Sequence, residues 1–274
     1  MLYTFPVFVV AIVALGGPAE SEAPALAQDL GIGAYEAGQL LRGGTPFVTM
    51  RTGDRLTAVS HLDRLRLRGH EAVGFDAESV VSSANMGEVR GFAFEGEGIR
   101  FQLRGRPDDF VSFDDFVCFV RAVHRTSERV TTKTQERSFD FKKFAISGGI
   151  AMTKVVEKES SVQHEEREPV VYLFRRTSTP ILFCATRAKY LGLGPDVRPT
   201  QLENFERTLA RLREKAPYAP YDDRLVGLRR IHEKVTLPAR GQEVVSSAQG
   251  VDLLAHVVAM TVSRAGANPY RERR

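Results

Sequence analysis

The sequence predicts an α+β protein. A small strand-helix-helix-strand-helix-strand unit fills residues 1–78, and a mostly antiparallel sheet domain with flanking and C-terminal helices fills 79–274. Three observations carry this. Over the first 78 residues, short apolar runs alternate with segments of helical period. From Glu88 onward the chain turns to alternating, β-prone runs broken by glycine turns. A clean 3.6-residue stripe then returns at Leu202, Phe205, Leu209 and Leu212.

Met1 to Leu15 is nearly all apolar, and Gly16-Gly17-Pro18 ends it. Its aromatic and β-branched content predicts a buried first strand. A secretory signal is the competing assignment, but such a signal wants a positive leading region, and the first basic residue here is Arg42. Glu20 to Leu30 follows as a helix with acids at its favourable end and Gly31 as its stop. Tyr35 to Leu41 is a second helix, closed by Gly43-Gly44, and Pro46 to Met50 a short strand. Asp54 caps a third helix whose apolar positions are assigned to Leu56, Val59, Leu62, Leu65 and Leu67. Glu71 to Phe75 is the closing strand.

This order, with Gly31-Ile32-Gly33-Ala34-Tyr35-Glu36-Ala37, Leu40-Leu41 and a proline-led strand at Pro46, resembles the C-terminal domain of the bacterial ribosomal stalk protein. The substrate-delivering adaptor of the Clp protease shares that fold. The resemblance implies a fold used for protein contacts. It does not carry over translation-factor recruitment, because the leading unit has no lysine where the stalk family is lysine-rich. The Clp adaptor's acidic, asparagine-bearing segment is also missing.

Residues 76–87 read as a linker. Glu88–Glu95 and Ile99–Leu103 form a hairpin about Gly96-Glu97-Gly98. Ser112 is assigned as the cap of a helix through about His124, with Phe113, Phe116, Val117 and Val120 as its stripe. Threonine-rich residues 130–134 begin a meander. A turn at Ser147–Gly149, a strand from Ile150 to Glu159 and a charged loop from Gln163 to Glu168 follow, and then buried strands at 170–174 and 181–183. The balanced charges of 127–168 predict cross-strand ion pairs on a solvated face. Helices at 200–215 and 250–262 and a frayed basic tail from Asn268 complete the chain.

With 43% hydrophobic and 26% charged residues, the chain can bury a sizeable core. Collagen-like, disulfide-framework and disordered classes are excluded. The net charge of +4 permits an acidic partner without demanding one. No phosphate-binding glycine motif is present, and the six histidines fall at no metal-ligand spacing, so neither cofactor nor metal is expected. Cys118 and Cys184 sit in apolar runs and read as buried core thiols, with a disulfide between them not required. So few cysteines fit a cytoplasmic protein, and neither the first apolar run nor any later segment reaches membrane length.

Two surface clusters are candidates for protein binding. Arg64, Arg66 and Arg68 crowd the end of the third helix, where dipole complementarity competes with an acidic partner. Tyr218, Tyr221 and Arg224 lie in a proline-stiffened loop, where packing of the last helices onto the sheet competes with an interface anchor. The first function class is therefore a non-enzymatic adaptor for a protein partner of unknown identity. A nucleic-acid- or ribosome-associated protein is the second. A hydrolase with Cys184 as nucleophile, its pKa lowered by Arg187, is the third. Oligomeric state is not legible in the sequence.

Overall fold

A computed structural model of the chain describes residues 6–139, 153–228, 235–239 and 242–266. They form two compact units. The larger takes in the described residues of Met1–His124, Glu168–Lys234 and Ser247–Arg274, and the smaller those of Arg125–Arg167 and Val235–Ser246.

The larger unit opens with β1 (Phe8–Ala14), α1 (Ala19–Leu30), α2 (Ala34–Arg42), β2 (Phe47–Thr52), α3 (Arg55–Leu67) and β3 (Glu71–Asp76), the expected order. The three strands form an antiparallel sheet in the order β2-β1-β3. Val9 to Val13 are fully buried. Val10 and Ile12 pack with the helices, through Leu26, Leu41, Leu62 and Leu65. Ala11 and Val13 pack with Val73 and Val257 instead. A strand covered on both faces has no polar side to show, which is why this segment reads as an unbroken apolar run.

Local chemistry sets the helix ends. Gly31 adopts φ 66° and returns its N–H to the Ala27 carbonyl, a left-handed cap that glycine reaches without strain. The Asp54 carboxylate accepts the N–H groups of Leu56 and Thr57. The expected stripe of α3 is corrected in part. Leu62 and Leu65 are buried beside Ala58 and His61, but Leu56, Val59 and Leu67 face solvent.

The second sheet runs through β4 (Gly87–Glu95), β5 (Gly98–Leu103), β6 (Asp109–Ser112), β7 (Phe116–Phe139), β8 (Thr153–Arg175) and β9 (Ile181–Cys184). After α4 (Gln201–Lys215) come β10 (Tyr221–Asp222), β11 (Val235–Ala239), β12 (Gln242–Ser246) and α5 (Ala248–Gly266). Neighbours follow the order β11-β12-β7-β8-β9-β4-β5-β6, with β10 parallel to β7. Most pairings are antiparallel; β4 with β9 is a second parallel one.

Within the larger unit this sheet lies between two helices. Val171, Leu173, Ile181 and Phe183 join Phe205, Leu209 and Leu212 of α4. The alternate residues Val170, Tyr172, Leu182 and Cys184 join Val251, Leu254, Ala255 and Val258 of α5. Burying about 25 cal/mol per Å² of apolar surface on both faces is the main favourable term for such a layer.

Two further expectations are corrected. The helix from Ser112 to His124 is a single 3-10 turn, Phe113–Asp115, followed by β7. Phe119 packs on the α4 side and Cys118, Val120 and Ala122 on the α5 side, so the segment is a doubly covered strand whose apolar spacing mimics a helical stripe. The charged loop from Gln163 to Glu168 is part of β8. The segment read as a linker, 76–87, holds two 3-10 turns, Ala77–Ser79 and Ser83–Asn85, capped by Asp76 and Ser82. The turn at 147–149, the start of the strand at 150–152, the tail from Asn268 and most side chains of 127–168 lie outside the described residues. In the smaller unit, the β11–β12 hairpin pairs through β12 with the outer part of β7.

Candidate functional site

The tyrosine loop is built on the end of α4. Thr200 and Glu203 form a reciprocal capping box that starts this helix. At the far end, Ala216 closes the helix and the Ala219 N–H returns to the Ala216 carbonyl at 3.1 Å. Pro217 and Pro220 fix two φ angles in the turn between. The Pro220 carbonyl accepts the Phe119 N–H at 2.9 Å, and Tyr221 then pairs beside β7. The outcome separates the two tyrosines. Tyr221 is half-buried, and the Arg213 guanidinium lies 4.3 Å over its ring. Tyr218 is 89% exposed. A cleft of about 510 Å³ opens here, lined by Arg213, Glu214, Pro217, Ala219, Pro220 and Tyr221.

Arg224 does not join that surface. Its guanidinium pairs with Asp222 at 2.6 Å and donates to the Val13 carbonyl at 2.9 Å, tying the loop to the end of β1. The α3 arginines are likewise engaged within the chain. Arg64 meets Asp29 at 2.7 Å, and Arg68 meets both Glu22 and Asp29 at 2.8 Å. Arg66 donates to the Ala72 carbonyl at 3.1 Å. Burial pushes the Asp29 carboxyl up, but the hydrogen bonds and charges of Arg68 and Arg64 outweigh it and hold the group below its usual value. Arg64 and Arg68 fasten the end of α3 to α1, with His70 joining Glu22 at 2.9 Å, while Arg66 ties it to β3.

Cys118 and Cys184 are free and buried. Burial pushes each thiol up to about 12. Arg187 acts on Cys184 in the expected direction, but loss of water dominates. A thiol held protonated at neutral pH is a poor nucleophile.

A buried polar relay was missed by the sequence analysis. Asp252, 1% exposed, accepts the Tyr172 hydroxyl at 2.6 Å and the Ser83 N–H at 2.7 Å. Because Tyr172 donates to Asp252, His124 Nε2, 2.6 Å from the same oxygen, supplies its own proton to it. His256 Nδ1 donates to the Asp252 carbonyl at 2.8 Å and its Nε2 accepts the Val81 N–H at 3.2 Å, the pattern of a neutral ring. Burial lowers the pKa of both histidines. The readable signal was Asp252 and His256 spaced i, i+4 in an otherwise apolar helix, since a buried acid demands partners.

Among the described residues, no group of three or more His, Cys, Asp or Glu side chains is placed to hold a metal ion, and no helix is long and apolar enough to cross a membrane. No protein-family model, curated protein or solved structure matches this chain. The fold and the cleft together define a mixed α/β protein with a mostly antiparallel sheet and an aromatic surface loop.

Proposed function

We propose that the chain is a non-enzymatic binding module that contacts another protein, with the Pro217–Tyr221 loop as its anchor. The observation that carries this is Tyr218, a large aromatic side chain held 89% exposed in a turn stiffened by two prolines beside a cleft. A rigid, exposed tyrosine contributes contact area at small entropic cost, and tyrosine is enriched among interface hot spots. The resemblance of the leading unit to a fold used for protein contacts supports the same reading. The free thiols agree with a cytoplasmic address. Engagement of Arg64, Arg66 and Arg68 within the chain weighs against a basic nucleic-acid stripe on α3.

The test is a tagged capture from native lysate, half of it nuclease-treated, with the parent chain and Tyr218→Ala. The expected result is a defined protein partner that survives nuclease and moderate salt and is lost with Tyr218→Ala, whose thermal midpoint matches the parent. Capture that disappears with nuclease would replace this reading with nucleic-acid association. Unchanged capture by Tyr218→Ala would remove the loop from it.

A further inference from the structure

The β4–β5 pair holds an irregularity that collects charge. Val89 pairs with Leu103 and Gly91 with Gln102, so Arg90 is the extra residue of a β-bulge. Bulges re-aim side chains and recur next to functional sites. The Arg90 carbonyl accepts the Lys189 N–H at 2.8 Å, which fixes the segment after β9 alongside β4. Gly192 allows that approach, for a Cβ there would stand 2.0 Å from the Phe92 carbonyl oxygen. On the facing side Gly105, at φ 65°, turns the chain into Arg106, Pro107 and Asp108. Arg106 is held by a 2.6 Å hydrogen bond to the Asn85 carbonyl.

These segments enclose an open cleft of about 730 Å³, wholly within the larger unit, carrying Arg90, Arg106 and Lys189 against one acid, Asp108. The other cations nearby have a carboxylate partner: Arg100 pairs with Glu95, and Arg104 and Arg187 share the Glu88 carboxylate. Among the described residues, Arg90, Arg106 and Lys189 have no ion-pair partner. The hairpin therefore pairs its arginines everywhere except at the cleft.

We infer that this cleft binds a small phosphorylated ligand. Guanidinium forks match the geometry of a phosphate, and a lysine adds a compact charge. The Asp108 carboxylate and the Gln102 amide suit hydroxyl groups, while Leu103, Pro107 and the exposed Leu191 offer an apolar wall. The volume fits one ligand, and three cations are too few for the extended phosphate tracking of nucleic-acid binding.

The test is calorimetric titration of the full chain with glucose 6-phosphate, pyrophosphate and inorganic phosphate at constant ionic strength. The parent is compared with Arg90→Gln, Lys189→Gln and the outlying Lys215→Gln. The expected result is saturable binding of at least one small phosphate, weakened about tenfold or more by each cleft variant, as for loss of one charge-assisted hydrogen bond. Lys215→Gln should bind as the parent does. All three substitutions are at exposed positions, and their thermal midpoints without ligand should match the parent. Absence of saturable binding to the parent, or equal binding by the cleft variants, would overturn the inference. So would steeply salt-dependent binding of a single-stranded oligonucleotide through Arg90 and Lys189 with no response to the small phosphates.

Discussion

Replacing Asp252 by alanine should cost the protein more than any exposed substitution. The carboxylate accepts two short hydrogen bonds, from Tyr172 and from the Ser83 N–H, and is 1% exposed. Hydrogen bonds to a charged group contribute about 1.5–3 kcal/mol each, and both donors would be left buried. Alanine returns about 0.5 kcal/mol of helix propensity to α5. The net loss is then about 3–5 kcal/mol, or roughly 10 °C in melting midpoint for a protein of this size. Urea unfolding followed by near-UV circular dichroism of the tyrosines reads it directly, since the chain has no tryptophan. Tyr172→Phe removes the shared bond from the other side and should cost about 1.5–3 kcal/mol. Because both variants break the same contact, the double variant should fall short of the sum by about 1 kcal/mol or more. Loss below about 1 kcal/mol in Asp252→Ala, or strict additivity, would refute the relay as a stabilising unit.

Two further predictions follow from burial and close approach. Neither Cys118 nor Cys184 should react with a thiol reagent at pH 8 until urea is added, since both are buried and pushed up to about 12. Above pH 9 the unfolded chain releases thiol protons that the native state retains, so stability should fall progressively as the pH rises from about 9 toward about 12. A flat stability profile across that window would contradict it. Gly192→Ala should destabilise the protein by about 1–3 kcal/mol through its clash with Phe92, while Gly17→Ala, with nothing within 4 Å, should stay within about 0.5 kcal/mol of the parent. Equal midpoints for the two variants would show that the segment after β9 is not held against β4 as described.

The leading unit was legible because its signals are local. Gly31, Asp54 and the Gly43-Gly44 pair each act within a turn of the chain, through a cap or a helix stop, and the structure places element ends at them. The stripe of α3 misled for a geometric reason. Steps of three residues drift about 60° around a helix, so Leu56 and Leu65, three steps apart, lie on opposite faces. Leu65 went to the core and Leu56 to solvent. The strand at 116–124 misled for a different one. A β-strand covered on both faces and a buried helical turn share the same apolar run, and its aromatic and β-branched content was the evidence that should have decided it.

The candidate sites differ in the same way. Tyr218 could be picked out because its constraint, a proline on either side, is written next to it. Arg90, Arg106 and Lys189 could not, because their meeting depends on a bulge in β4, a left-handed glycine at 105 and a close backbone approach at Gly192. None of these has a sequence period. The relay of Ser83, His124, Tyr172 and Asp252 likewise joins four distant segments. It did leave one readable mark, an acid inside an apolar helix. α5 packs Val257 against β1 and Val251, Leu254 and Val258 against the larger sheet. A charge placed there is far from water on every side, so it must be matched by the chain itself. The polar residue that breaks a hydrophobic pattern is thus the better pointer to long-range structure here than the charged clusters, whose partners lie only a helix away.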